Sequence, residues 1–224
     1  MESKENLLEV KNLSVDFRMD RKTVLHAVRN VSFTLEKGET LGLVGESGCG
    51  KSVSCMSILQ LNPPQRTLYP TGEILFDGKD LLKMNQKQLR PIRGNEIAMV
   101  FQEPMTAMNP LFTIGDQLME ALRVHDHKIS KADAYDQSIE AVRRVKIPNP
   151  ERILNTYPFA LSGGMRQRVM IAMAMIARPK LLICDEPTTA LDVTIQAQVL
   201  DLMNELKAET GMSIIFVTHD LGVI

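Results

Sequence analysis

Apolar and polar residues alternate along 7–17 and again along 27–35, and Lys37-Gly38-Glu39 supplies a turn, so the N-terminal part predicts antiparallel strands. A short apolar strand over 40–44 then runs straight into a glycine-rich loop. Beyond Ser52 the pattern is helical as far as Leu61, where Pro63-Pro64 stops it; 72–76 followed by Asp77-Gly78 predicts an edge strand and turn, and 97–101 a further strand. From Gly115 to about Tyr157 a helical period with charged faces takes over, with Ala121-Leu122, Ile139, Val142 and Val145 among its apolar positions, which predicts a mainly α-helical insertion. Strand character returns at 181–184 and 213–217, on either side of an amphipathic segment over 194–207. This is the βαβ rhythm of a parallel sheet. The expected fold class is therefore α/β: a mixed sheet core, an N-terminal antiparallel β subdomain and an α-helical subdomain, with no internal repeat or low-complexity tract.

Composition narrows this picture. The 224 residues are 44% hydrophobic, enough for a sizeable core. Lys and Arg number 26 against 27 Asp and Glu, for a net charge of −1, so nothing resembles the broad basic footprint of a nucleic-acid binder. The N-terminus is polar and no run approaches the roughly 18 apolar residues of a spanning helix, which places the expected protein in the cytosol or on the cytosolic face of a membrane. Cys49, Cys55 and Cys184 lack CxxC spacing and read as reduced thiols.

The candidate chemistry starts at Gly45-Glu46-Ser47-Gly48-Cys49-Gly50-Lys51-Ser52, which fits GxxxxGK[ST] between a predicted strand and a predicted helix. Its glycines let backbone N–H groups wrap phosphates, Lys51 neutralises β and γ oxygens, the Ser52 hydroxyl suits Mg²⁺, and the helix dipole adds positive potential at the same place. Cys49 inside the loop reads either as a redox-sensitive thiol or as a tolerated small residue. Further on, the apolar strand 181–184 ends in Asp185 and Glu186, and strand ends in open parallel sheets are where ligands sit. Asp185 suits Mg²⁺, and Glu186 is placed to orient or deprotonate an attacking water. Gln102 follows the strand 97–101 and can touch Mg²⁺ or water; His219 follows the strand 213–217 and a Thr, placed to hydrogen-bond a γ-phosphate. Leu161-Ser162-Gly163-Gly164-Met165 precedes a predicted helix over 166–177 ended by Pro179, which sets Ser162 and the glycine amides at an anion-ready N-terminus.

In this order the motifs resemble those of the ABC ATPases, a branch of the P-loop NTPase fold, over nearly the whole chain. The resemblance reads Walker A at 45–52, the Q-loop at Gln102, the signature at 161–165, Walker B ending at Asp185, the catalytic Glu186, a D-loop at Ala190-Leu191-Asp192 and the switch His219. It implies ATP and Mg²⁺ as cofactors, the metal being held by Ser52, Gln102 and Asp185. It also implies head-to-tail pairing of two cassettes, so that each ATP meets the Walker A loop of one and the signature of the other. Phe17 aligns with the family's adenine-stacking aromatic, with a core Phe as the alternative. One domain is expected over 1–224, with a catalytic core and β subdomain from 1–100 and 178–224 and a helical subdomain over about 103–177.

Several segments are more specifically similar to the oligopeptide, dipeptide and nickel importer branch: Gly45-Glu46-Ser47-Gly48, Phe101-Gln102-Glu103-Pro104-Met105-Thr106, Met108-Asn109-Pro110 and DEPTTALDVTIQAQ over 185–198. That similarity implies a second, like ATPase subunit, two membrane permease subunits, an extracytoplasmic substrate-binding protein and a peripheral place on the cytoplasmic face of the cell membrane. It also marks Met105 and Met108 as residues that contact the permease. Met165 and Thr189 stand where Gln and Ser are commoner, and the chain stops at Ile224 where the branch continues into further strands and a cysteine-bearing extension able to hold an iron–sulfur cluster; it therefore reads as truncated at the C-terminus, with exposed strand edges. Three other classes compete. A DNA-repair ABC protein would carry long heptads between 52 and 161, a translation-factor type would carry two cassettes, and a P-loop kinase would leave the signature unexplained.

Overall fold

The computed structural model describes residues 5–103, 107–187 and 193–220. In chain order the elements are β1 (Asn6–Arg18), β2 (Val24–Glu36), β3 (Thr40–Val44), α1 (Lys51–Ile58), β4 (Thr67–Phe76), β5 (Lys79–Asp80), α2 (Gln86–Leu89), β6 (Ile97–Val100), α3 (Ile114–His125), α4 (Lys131–Arg144), α5 (Pro150–Leu154), α6 (Gly163–Met175), β7 (Leu181–Asp185), α7 (Val193–Thr210) and β8 (Ser213–Thr218). They form two compact units, one from the chain up to Arg93 with the stretch from Ser213 onward, the other over Gly94–Met212. No helix among the described residues is long and apolar enough to cross a membrane.

In the first unit the antiparallel sheet runs β2-β1-β4-β5. The inward set of β1 is Leu8, Val10, Leu13 and Val15, a pattern that skips one residue in the middle. The register to β2 shifts between Val10 and Leu13, where Asn12 takes φ +48°, so a bulge absorbs the extra residue and returns the apolar side chains to the same face. β4 begins at Thr67, five residues ahead of the expected start, and takes Pro70 into the strand. Pro70 falls inside the register irregularity between Ser14↔Thr71 and Asp16↔Leu68, where a missing N–H costs the ladder little. Nor is β4 a bare edge, since β5 pairs with its end through Leu75↔Asp80 and Phe76↔Lys79. In the same unit β3 and β8 pair in parallel, from Thr40↔Ile214 to Val44↔Thr218.

In the second unit β6 and β7 pair in parallel, and all five residues of β7 are buried, as a strand covered on both faces requires. The helices present apolar stripes at i, i+4, i+8: Ile114, Leu118 and Leu122 on α3, Ala134, Ser138 and Val142 on α4, with the Ser138 hydroxyl donating to Ala134 O at 2.7 Å to satisfy its own burial. Their starts are chemically fixed. Thr113 and Asp116 form a capping box on α3, and Ser130 caps α4. The helix expected over 166–177 spans Gly163–Met175 instead, because Ser162 caps it and draws both signature glycines into its first turn. The single turn of α2, which the apolar pattern does not predict, is set by an Asn85/Gln88 capping box.

Candidate functional site

In the first unit, the parallel pairing of Val44 with Thr218 makes the loop after β3 and the residues after β8 leave their strands at the same end. The loop is shaped by glycine where glycine is required. Gly48 and Gly50 have φ of +82° and +98°, and a Cβ at Gly50 would come within 2.7 Å of Ala27 O, so no other residue fits there. Gly50 is also the N-cap of α1 and makes no side-chain cap, so the loop runs straight into the positive end of a helix dipole. Lys51 folds over the loop: its Nζ donates to Gly45 O at 2.7 Å and Glu46 O at 2.9 Å and lies 4.0 Å from Cys49 Sγ. A cation, a helix N-terminus and positive-φ glycines in one loop fit a polyphosphate. Ser52 stands in the first turn of α1. His219 is exposed, in a turn that closes through Asp220 N donating to Thr218 Oγ1 at 3.0 Å. Phe17 pairs with Leu25 on β2 and Thr67 on β4 and is only half-buried, beside exposed Leu25 and Leu68, so the all-core alternative does not describe it. Cys49 is exposed, whereas Cys55 and Cys184 are buried thiols.

In the second unit, the register from Ile97↔Leu181 to Val100↔Cys184 sends Gln102 and Glu186 out at one end of the parallel pair. They meet there: Gln102 Nε2 donates to Glu186 Oε2 at 3.3 Å, across 84 residues of sequence. Glu186 has φ +47°, a left-handed conformation that costs a non-glycine residue energy and recurs at functional positions. Asp185, just before it, is 7% exposed at the strand terminus. Oxygen donors of this kind suit a hard divalent cation. Ser162 Oγ accepts from Met165 N at 3.3 Å, Leu161 is buried, and Gly163 and Gly164 open α6. At Gly163 a Cβ would meet nothing within 4 Å, so this face of the first turn is open. Asp192, with Thr189, Ala190 and Leu191, lies outside the described residues, as do Pro104, Met105 and Thr106.

Met108 corrects an expectation. It is 3% exposed and packs into the core, while Leu111 and Phe112 are 79% and 51% exposed, so these two carry the apolar surface of the segment. The segment is built by a residue the sequence reading passed over. Gln117 is buried, accepts from Asn109 N at 2.9 Å and donates to Asn109 O and Phe112 O at 3.0 and 3.1 Å. Its signal was a polar residue inside the apolar stripe of α3, which calls for partners.

A strand-loop-helix phosphate cradle, an acid pair at a parallel-strand end and a capped signature helix define the ATP-binding cassette class. The ABC transporter family profile matches residues 28–189, and the chain belongs to that family. It is similar to the oligopeptide transport ATP-binding protein OppD of Bacillus subtilis, 53% identical over 218 residues, covering 97% of this chain and 60% of that protein. The dipeptide transport ATP-binding protein DppD of the same organism is 54% identical over 220 residues, covering 98% and 65%. The chain thus spans less than two thirds of the length of these curated relatives. Among solved structures, the ATP-binding cassette MJ0796, a dimer in a post-hydrolysis state bound to ADP and Pi, matches with a TM-score of 0.84 at 28% identity, covering 96% of this chain and 89% of that one.

Proposed function

We propose that this chain is the ATP-binding and ATP-hydrolysing subunit of an importer of oligopeptides or dipeptides, or of a related solute such as nickel. The observation that carries the reading is more than half identity, over 97% or more of the chain, to peptide transport ATP-binding proteins. Its partners in this reading are a second ABC ATPase subunit, two permease subunits and an extracytoplasmic binding protein, at the cytoplasmic face of the membrane; the exposed Leu111 and Phe112 support a permease contact at the segment after Gln102. The whole is one cassette domain, with a catalytic core and β subdomain from 1–100 and 178–224 and a helical subdomain over about 103–177.

The site roles follow from chemistry. Gly45, Glu46, Ser47, Gly48, Cys49 and Gly50 present backbone N–H groups to the phosphates, Lys51 neutralises their charge, and Phe17 offers its half-exposed ring to the adenine. Ser52, Gln102 and Asp185 are the residues that would hold Mg²⁺, which supplies charge neutralisation at the β and γ oxygens. Glu186 orients or deprotonates the attacking water, and its bond from Gln102 fixes where its carboxylate points. His219 donates to the γ-phosphate. Leu161, Ser162, Gly163, Gly164 and Met165 serve the ATP of the partner cassette, and Asp192 the contact between cassettes. Phosphate release by the chain co-purified with its permease should rise when peptide-loaded binding protein is added. A phosphorylated small molecule in place of free phosphate would instead mark a P-loop kinase.

A further inference from the structure

Beyond its buried face, the signature helix α6 is tied to its surroundings by a side chain outside the motif at 161–165. Arg168 reaches in two directions. Its Nη1 donates to Val145 O at 3.3 Å and Lys146 O at 3.4 Å, the carbonyls just beyond α4, and its Nη2 donates to Gln198 Oε1 on α7 at 2.9 Å. The first anchor is the usual one for a cation, a helix C-terminus with orphan carbonyls, here where Lys146 turns the chain at φ +57°. The second is a charge-assisted bond to an exposed residue of the helix that follows the acid pair.

A second contact joins the same two helices one turn nearer their starts. A Cβ on Gly164 would come within 3.0 Å of Ile195 Cγ2, so the first turns of α6 and α7 approach as closely as a glycine allows. Gly164 and Arg168 are i, i+4 on one helix; Ile195 and Gln198 are i, i+3 on the other. Each pair therefore lies on one face, and the two contacts form a single seam. The seam ties the start of the signature helix to the next helix in sequence after Asp185 and Glu186.

We infer that Arg168 is a positioning residue for ATP turnover: with Gln198 it holds the signature, offered to a partner's nucleotide, in register with the acid pair of the same unit, Asp185 and Glu186. This rests on the proposed reading of the chain as a cassette ATPase. The guanidinium is needed because one planar group must serve carbonyls on one side and an amide oxygen on the other, which a single ammonium cannot span.

The test measures kcat, KM for ATP and thermal stability of the full chain and of Arg168→Met, Gln198→Ala, their double variant and Gln198→Glu, at concentrations that allow cassettes to pair. Gln198→Ala should lower kcat about tenfold, the loss of one charge-assisted bond in the aligned state, and Arg168→Met, which also gives up the carbonyls of Val145 and Lys146, at least as much, each with KM within about twofold. The double variant should be no slower than Arg168→Met alone, since Arg168→Met already removes the bond to Gln198. Gln198→Glu keeps an acceptor and should retain kcat, which a merely structural loss would not predict. If Arg168→Met fails to fold, Gln198→Ala against Gln198→Glu decides alone, because Gln198 is exposed. Unchanged kcat in Gln198→Ala, additive losses, or an equal loss in Gln198→Glu overturns the inference while the ATPase reading stands. Absence of turnover in the unmodified chain overturns that reading and the inference with it.

Discussion

Glu186 holds a left-handed backbone that costs about 1–3 kcal/mol for a residue with a Cβ, and it holds it at a strand end where Gln102 donates to its carboxylate. Such strain persists where the side chain must be aimed, so stability and turnover should respond oppositely there. Glu186→Gly is expected to raise unfolding free energy by about 1 kcal/mol, read by denaturant titration, while abolishing phosphate release. Glu186→Gln should bind ATP with the parent affinity and hydrolyse it at least about 100-fold more slowly, the contribution of a positioned base; wild-type turnover would remove Glu186 from this role. Lys51→Ala, by contrast, removes the cation that spans the phosphate loop and should abolish nucleotide binding in a filter or calorimetric assay. Residue identities at these positions were legible because each motif is short and local. Their partners were not: Gln102 and Glu186 meet across 84 positions and Arg168 and Gln198 across 30, and no periodicity within a window reports a contact between windows.

At the scale of elements, β1 was read to within one residue at each end despite its bulge, whereas β4 was begun five residues late, beyond its proline. The skipped residue at Asn12 and the proline at position 70 both sit at register shifts, which only the neighbouring strand reveals. The segment after Gln102 shows the same limit in another form. A sequence reading chose Met105 and Met108 for their proximity to Gln102, but burial of Met108 and exposure of Leu111 and Phe112 are decided by how Gln117 ties the segment down. Gln117→Leu would remove the side-chain partner of Asn109 N, Asn109 O and Phe112 O and should lower stability by about 2 kcal/mol. Leu111→Ser with Phe112→Ser changes only exposed surface; it should leave ATP binding and folding intact while lowering peptide-stimulated phosphate release in the assembled transporter. Unaltered stimulation in that double variant would place the permease contact elsewhere.

For the whole molecule, fold class and family were available from the order of the motifs, because a phosphate loop, a signature and an acid pair each demand a strand end or helix start, and the structure supplies those starts and ends. The central claim is that one chain holds half of two ATP sites: the loop at Gly45 to Ser52 for its own nucleotide, the signature at Ser162 for another cassette's. Ser162→Arg tests it most directly, by measuring ATP affinity and steady-state phosphate release on the same preparation. The account predicts parent-like affinity with turnover lowered at least about 100-fold, since the signature's amides and hydroxyl act on a nucleotide bound elsewhere. Loss of ATP affinity in step with turnover, or turnover at the parent rate, would contradict it.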